Sequence, residues 1–348
     1  VLTQSERAAP SNHHILIFTK TKKVKALKIA GKILAGLIAL IATVMIYVKT
    51  ALPNTSPAPD IKIERTAKRI ERGKYLANHV TVCMDCHSTR DWSKYAGPMT
   101  SEGFGAGGEA FTTEMGFPGK FFAPNITPYA LAGWTDGEIL RAITTGVNKN
   151  GKALFPVMAY HRFGRLDQED VYSIIAYIRE LPAVKKDVPP SEPDFPVNFI
   201  INTMPQKAEF SRIPSERDQV AYGKYLVTAT GCVDCHSKTS KGSVIPGTEF
   251  GGGMEFSSPG GILRSPNITM HAQTGIGKWT KEMFVRRFKA YADSGYISPN
   301  LSPGELNTPM PWTMYAGMKE KDLEAIFAYL GSVKPIEHQV VRVEKKTK

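Results

Sequence analysis

Three observations predict a mainly α-helical protein with one N-terminal transmembrane helix followed by two tandem copies of a helical domain. The stretch from Ile29 to Val48 is apolar apart from Lys32. Four sequence blocks then recur in the same order along the rest of the chain. Helix start and stop signals fall at matching places in the two copies.

Taken from the N-terminus, residues 1–28 read as a basic cytoplasmic segment, and residues 29–48 as the membrane anchor. About 20 apolar residues at about 1.5 Å each cross a bilayer core of about 30 Å. Lys20, Lys22, Lys23, Lys25, Lys28 and Lys32 crowd the N-terminal side. The positive-inside rule therefore leaves that side in the cytoplasm and exports the chain beyond Val48. A cleaved signal peptide has the same charge order but a shorter apolar core, and Lys49-Thr50-Ala51-Leu52 is a weak cleavage site. Residues 49–60, with Pro53, Pro57 and Pro59, read as a stiff tether.

The repeat divides the remainder. Gly73-Lys74-Tyr75-Leu76 returns as Gly223-Lys224-Tyr225-Leu226, and Pro124-Asn125-Ile126-Thr127 as Pro266-Asn267-Ile268-Thr269. Trp134-Thr135 returns as Trp279-Thr280, and Asp170 to Tyr177 as Asp322 to Tyr329. These blocks define domains at 61–181 and 215–338. Between them, residues 182–214 carry seven prolines and read as an extended linker over the surface. Residues 339–348 form a basic tail.

Within each copy the helices follow from their caps. Arg65 to Asn78 and a helix opened by Ser215 and Asp218 are counterparts. Thr135-Asp136-Gly137-Glu138 is a capping box. Asp167 caps a helix with Val171, Ile174, Ile175 and Ile178 on one face, which Pro182 ends. Leu323, Ile326, Phe327 and Leu330 repeat that face, and Gly331 is expected to end it. Ser88 to Ala123 and Ser237 to Ser265 read as long glycine-rich loops with room for a short hairpin.

The four cysteines lie in two pentapeptides, Cys83-Met84-Asp85-Cys86-His87 and Cys232-Val233-Asp234-Cys235-His236. One helical turn of Cys-x-x-Cys-His presents two thiols to the porphyrin vinyls and an imidazole to the iron, so two covalently bound c-type haems are expected. A redox dithiol or a four-thiolate zinc site uses the same cysteines but leaves the repeated histidine unexplained. A second axial ligand is then needed. Aligning Asp170 with Asp322 brings Met158 opposite Met310, each beside a proline ahead of the last helix, while Met314 and Met318 face Arg162 and Leu166. Met158 and Met310 are therefore the expected sixth ligands, with His161 the rival for the first iron. The ligand set is Cys83, Cys86, His87 and Met158, and Cys232, Cys235, His236 and Met310, with iron on His87, Met158, His236 and Met310. Asn125, Asn267, Trp134 and Trp279 divide evenly between haem contacts and plain turn or core roles. Tyr75, Tyr225, Tyr177 and Tyr329 are expected to pack first helix against last.

At these residues the chain resembles class I cytochrome c in two copies. Gly73, Tyr75, the first Cys-x-x-Cys-His, Met158, Ala176 and Tyr177 match the family pattern, as do Gly223, Tyr225, the second motif, Met310, Ala328 and Tyr329. It is similar to the cytochrome subunits of membrane-bound bacterial alcohol and gluconate dehydrogenases, although those carry three haem motifs and this chain two. The resemblance implies a di-haem electron carrier in the bacterial cytoplasmic membrane, single-pass, with its haem domains in the periplasm. A dehydrogenase, an oxidase or another cytochrome would be its redox partner.

The charge distribution agrees. Of the net +12, +7 lies in residues 1–50 and +3 in the C-terminal tail, so the body is close to neutral and offers no face for nucleic acid. An electron carrier needs neither a catalytic residue nor a pocket for a free small-molecule substrate. The alternative is a di-haem enzyme such as a peroxidase, whose working iron would be an open first haem. A thiosulfate dehydrogenase with a cysteine axial ligand lacks a spare cysteine.

Overall fold

The computed structural model describes residues 12–240, 242–258, 260–302 and 304–345, with side chains from Val24 onward. Residues 1–11 of the segment expected to be cytoplasmic and residues 346–348 of the basic tail lie outside the described residues. The chain forms two units, Val1–Leu52 and Pro53–Lys348.

The first unit is one helix, α1 (Asn12–Thr50). Within Val24–Thr50 the most apolar 18-residue stretch has a mean hydropathy of 2.3, and none of that stretch is buried. The helix is longer at both ends than the span 29–48. The lysines before it are good helix formers and continue it, and Pro53 is the first residue that cannot.

In the second unit each half contains the same four helices. The first half has α2 (Ala67–Tyr75, running into a π-turn at Leu76–Val80), α3 (Asp136–Thr145), α4 (Tyr160–Phe163) and α5 (Gln168–Arg179). The second has α6 (Gln219–Thr230), α7 (Lys281–Lys289), α8 (Trp312–Tyr315) and α9 (Glu320–Ser332). Thr135 and Glu138 close the expected capping box on α3. Asp167 caps α5 by accepting from the Glu169 N–H. Two boundaries differ from expectation. Ser215 only makes a local turn, and Asp218 is the cap of α6, taking the Ala221 N–H at 3.0 Å. Gly331 lies inside α9, because a fully exposed glycine with helical backbone does not by itself stop a helix.

The first and last helices of each half cross at a glycine. A Cβ on Gly73 would lie 1.8 Å from the Ser173 carbonyl oxygen, and one on Gly223 would lie 1.9 Å from that of Ala325. Only a residue without a side chain lets the backbones approach so closely. Around both crossings Leu76, Val171, Ile174 and Ile175, and Leu226, Leu323, Ile326 and Leu330, are buried in one continuous core.

The halves also exchange hydrogen bonds. Tyr75 donates to Asp322 Oδ2 at 2.5 Å and accepts the Lys319 N–H at 3.0 Å. Tyr225 donates to Asp170 Oδ2 at 2.7 Å and accepts the Asp167 N–H at 3.1 Å. The two sets correspond residue for residue, so the halves are related by approximate two-fold symmetry. Tyr75 and Tyr225 therefore join half to half, in contrast to the expectation that they pack helices within one half. Their hydroxyls need acceptors once buried, and the nearest carboxylates stand on the other half.

Residues 182–214 lie along the first half: Lys186 Nζ donates to Gly107 O and Thr89 Oγ1, Glu192–Pro193 pairs with Gly119–Lys120, and the Ser211 N–H meets Leu166 O. In the second half Glu255–Ser258 and Gly261–Arg264 form a hairpin, and Val343–Lys345 of the tail adds a third strand. Arg264 there pairs with both Glu255 and Glu344.

Candidate functional site

Both pentapeptides fold as one helical turn, Cys83–Cys86 and Cys232–Cys235, closed by the N–H of His87 on Cys83 O at 3.0 Å and of His236 on Cys232 O at 2.9 Å. Cysteines three apart on such a turn share a face. Each turn is entered through a left-handed residue, Gly231 (φ 73°) in the second and Val82 (φ 47°) in the first. For a β-branched residue that conformation is strained, which singles out the first turn as a tightly held one. Thr81 and Thr230 set their hydroxyls 3.2 and 3.1 Å from Cys83 Sγ and Cys232 Sγ.

The histidines are positioned identically. His87 Nδ1 lies 2.7 Å from Pro124 O, and His236 Nδ1 lies 2.9 Å from Pro266 O. A carbonyl can only accept, so Nδ1 carries the proton and Nε2 is left with its lone pair. That is the tautomer and orientation a metal-ligating histidine requires. Burial lowers the pKa of both imidazoles and keeps them neutral.

The carbonyl that holds each imidazole is itself fixed. Asn125 Oδ1 accepts from the Thr127 N–H and hydroxyl, while its amide donates to Val184 O and Lys186 O. Asn267 does the same with Thr269, Ile336 O and Thr274 Oγ1. The oxygens of these asparagines serve the turn and their amides tie it to distant chain, which gives both residues a structural role. Gly107 and Gly252, both left-handed, donate to His87 O and His236 O. A Cβ on either would come within 2.6 Å of the Pro-Asn peptide. The glycine-rich loops thus brace the histidine turns, a role their lack of periodicity concealed.

Met158 and Met310 stand half-buried in equivalent turns. The Tyr160 N–H meets Met158 O at 2.6 Å, and the Trp312 N–H meets Met310 O at 2.8 Å. Met314 and Met318 are buried, 3% and 1% exposed. His161 lies 3.8 Å from Asp234 in the second pentapeptide, with its side chain 40% exposed.

Two arginines that no sequence motif singles out complete the site. Arg90 pairs with Asp85 of the first pentapeptide at 2.9 Å, and both side chains are almost fully buried. Arg162, from the first half, reaches Asp234 of the second pentapeptide at 2.7 Å. Burial raises the Asp85 carboxyl to about 6, with Arg90 opposing. Burial would also raise Asp234, but His161 and Arg162 together hold it below its ordinary value. Burial pushes Cys86 up to about 12 and raises Cys83 and Cys232. The signal for these arginines was the aspartate shared by the two motifs.

Among the described residues no three His, Cys, Asp or Glu side chains come together as a metal cage, so the four cysteines do not assemble one zinc centre. Two separate Cys-x-x-Cys-His turns with Nδ1-anchored imidazoles fit haem c instead. The cytochrome c family profile matches residues 220–334. Residues 220–334 form a cytochrome c domain. Across the chain there is homology to cytochrome subunits of dehydrogenases. The alcohol dehydrogenase (quinone) cytochrome c subunit of Gluconacetobacter polyoxogenes is 28% identical over 77% of this chain and 56% of its own length. The fructose dehydrogenase cytochrome subunit of Gluconobacter japonicus is 27% identical over 76% of this chain and 52% of its own. The gluconate 2-dehydrogenase cytochrome c subunit of Pantoea cypripedii is 25% identical over 76% and 59%. The chain thus spans little more than half the length of these relatives.

Proposed function

We propose that the chain is a membrane-anchored di-haem c-type cytochrome that passes single electrons between a periplasmic donor, a dehydrogenase, and a respiratory-chain acceptor. In this reading 61–181 and 215–338 are two tandem class I cytochrome c domains. Haem c is bound by Cys83, Cys86, His87 and Met158 in the first, and by Cys232, Cys235, His236 and Met310 in the second. The observation that carries it is the pair of matching histidine turns, each with Nδ1 held by a proline carbonyl on a braced turn. Haem supplies the reversible one-electron chemistry. The protein fixes the ligands, buries them and sets the potentials. The apolar α1 and its flanking lysines support an uncleaved anchor with the domains on the periplasmic side. The dehydrogenase partner rests on the roles of the relatives.

The test is a pyridine haemochrome assay with optical spectra. Two haems per chain are expected, falling to one in C83A/C86A and in C232A/C235A. A far-red band of Met-ligated ferric iron accounts for both, and carbon monoxide binds little of the reduced protein until Met158→Ala or Met310→Ala is introduced. Prompt binding of carbon monoxide to half the haem of the unaltered protein would instead select the enzyme with an open first haem.

A further inference from the structure

The two candidate haem sites are tied together by one side chain. Arg162 stands on α4, four residues after Met158, yet its guanidinium lies in the second half. It pairs with Asp234 between Cys232 and Cys235, and Nη1 donates to Thr228 O at 3.2 Å and Ala229 O at 2.9 Å, on the helix that delivers the second motif. It packs so closely on Gly231 that a Cβ there would meet it at 2.4 Å. Its side chain is only 17% exposed.

The arrangement breaks the symmetry of the halves. Asp85 is neutralised from within its own half by Arg90, whereas the residue corresponding to Arg90 in the second half is Thr239. The residue corresponding to Arg162 is Met314, which offers only its carbonyl, to His79 at 2.9 Å. The second motif therefore takes its compensating cation from the methionine loop of the first.

We propose that Arg162 is a positioning residue that couples the two haem sites, raising the potential of the second haem and linking it to the methionine loop of the first. This rests on the haem assignment above. A nearby cation disfavours the ferric state, which carries one more positive charge than the ferrous, so its removal favours oxidation.

The experiment is a spectroelectrochemical titration of the haem-loaded full chain and its variants, with haem counted first. Arg162→Gln is expected to lower one of the two midpoint potentials by about a tenfold change in the ferrous-to-ferric ratio, about 59 mV for one electron. The other should fall by less. Asp234→Asn should raise the same component, the double variant should return towards the unaltered value, and Arg162→Lys should retain most of it. Unmoved potentials in Arg162→Gln, even with lowered thermal stability, would reduce Arg162 to a structural clamp and overturn the proposal. Should Arg162→Gln fail to fold, an unmoved potential in Asp234→Asn overturns it equally. Absence of haem from the unaltered protein would show the failure to lie in the haem assignment itself.

Discussion

Gly223→Ala tests the packing of the second half at its tightest point. The added Cβ would sit 1.9 Å from Ala325 O, 2.6 Å from its carbonyl carbon and 2.9 Å from Tyr329 Cβ. An ordinary contact with a carbonyl oxygen needs at least 3.4 Å, so α6 and α9 must part by about 1.5 Å in a close-packed core. Overpacking of this kind costs about 1–3 kcal/mol, and the upper figure applies because the obstacle is backbone. Alanine returns about 1 kcal/mol of helix propensity. The net loss is about 2 kcal/mol, or about 4–8 °C in melting temperature for a unit of this size. Far-UV circular dichroism of the haem-loaded protein during heating reads it. Gly331→Ala is the internal control, since it is helical and exposed with nothing within 4 Å of a Cβ. It should leave the midpoint unchanged or raise it by up to about 2–4 °C, for up to about 1 kcal/mol of helix propensity. A Gly223→Ala protein as stable as the unaltered one would refute the reasoning about the crossing.

Two further outcomes are expected. Tyr225→Phe and Tyr75→Phe each remove a donor from a buried carboxylate across the interface of the halves, and each should lower urea-unfolding stability by about 1–3 kcal/mol; unchanged midpoints in both would mean that the exchanged bonds contribute nothing. Burial lowers the His79 pKa, and the charges of Lys289 and Lys74 lower it further against the Met314 carbonyl that accepts from Nδ1. The unfolded chain then binds the proton more readily, so this contribution to stability is complete above about pH 6.5 and is lost as pH falls through the depressed folded value. His79→Gln should flatten the fall in melting temperature between about pH 8 and about pH 5, and a parallel curve in the variant would exclude His79 as its source.

The local chemistry was written in the sequence. Cys-x-x-Cys-His, the capping box at Thr135, the apolar run of α1 and the four repeated blocks depend on neighbours a few residues apart, and the structure shows helices over these stretches, with α1, α6 and α9 differing from expectation at their ends. The repeat register also separated Met158 and Met310 from Met314 and Met318, which are buried in the core. Tertiary structure alone decided what these elements meet. The proline carbonyl that selects the histidine tautomer lies 37 residues from His87 and 30 from His236. Tyr75 finds its carboxylate 247 residues away. Arg162, a charged residue on the short helix α4 with no motif of its own, becomes the partner of Asp234 only when the halves dock. A spacing rule reads contacts within one turn or strand; contacts between surfaces brought together by burying a shared core follow no spacing at all, and those are the ones that join this protein's two sites.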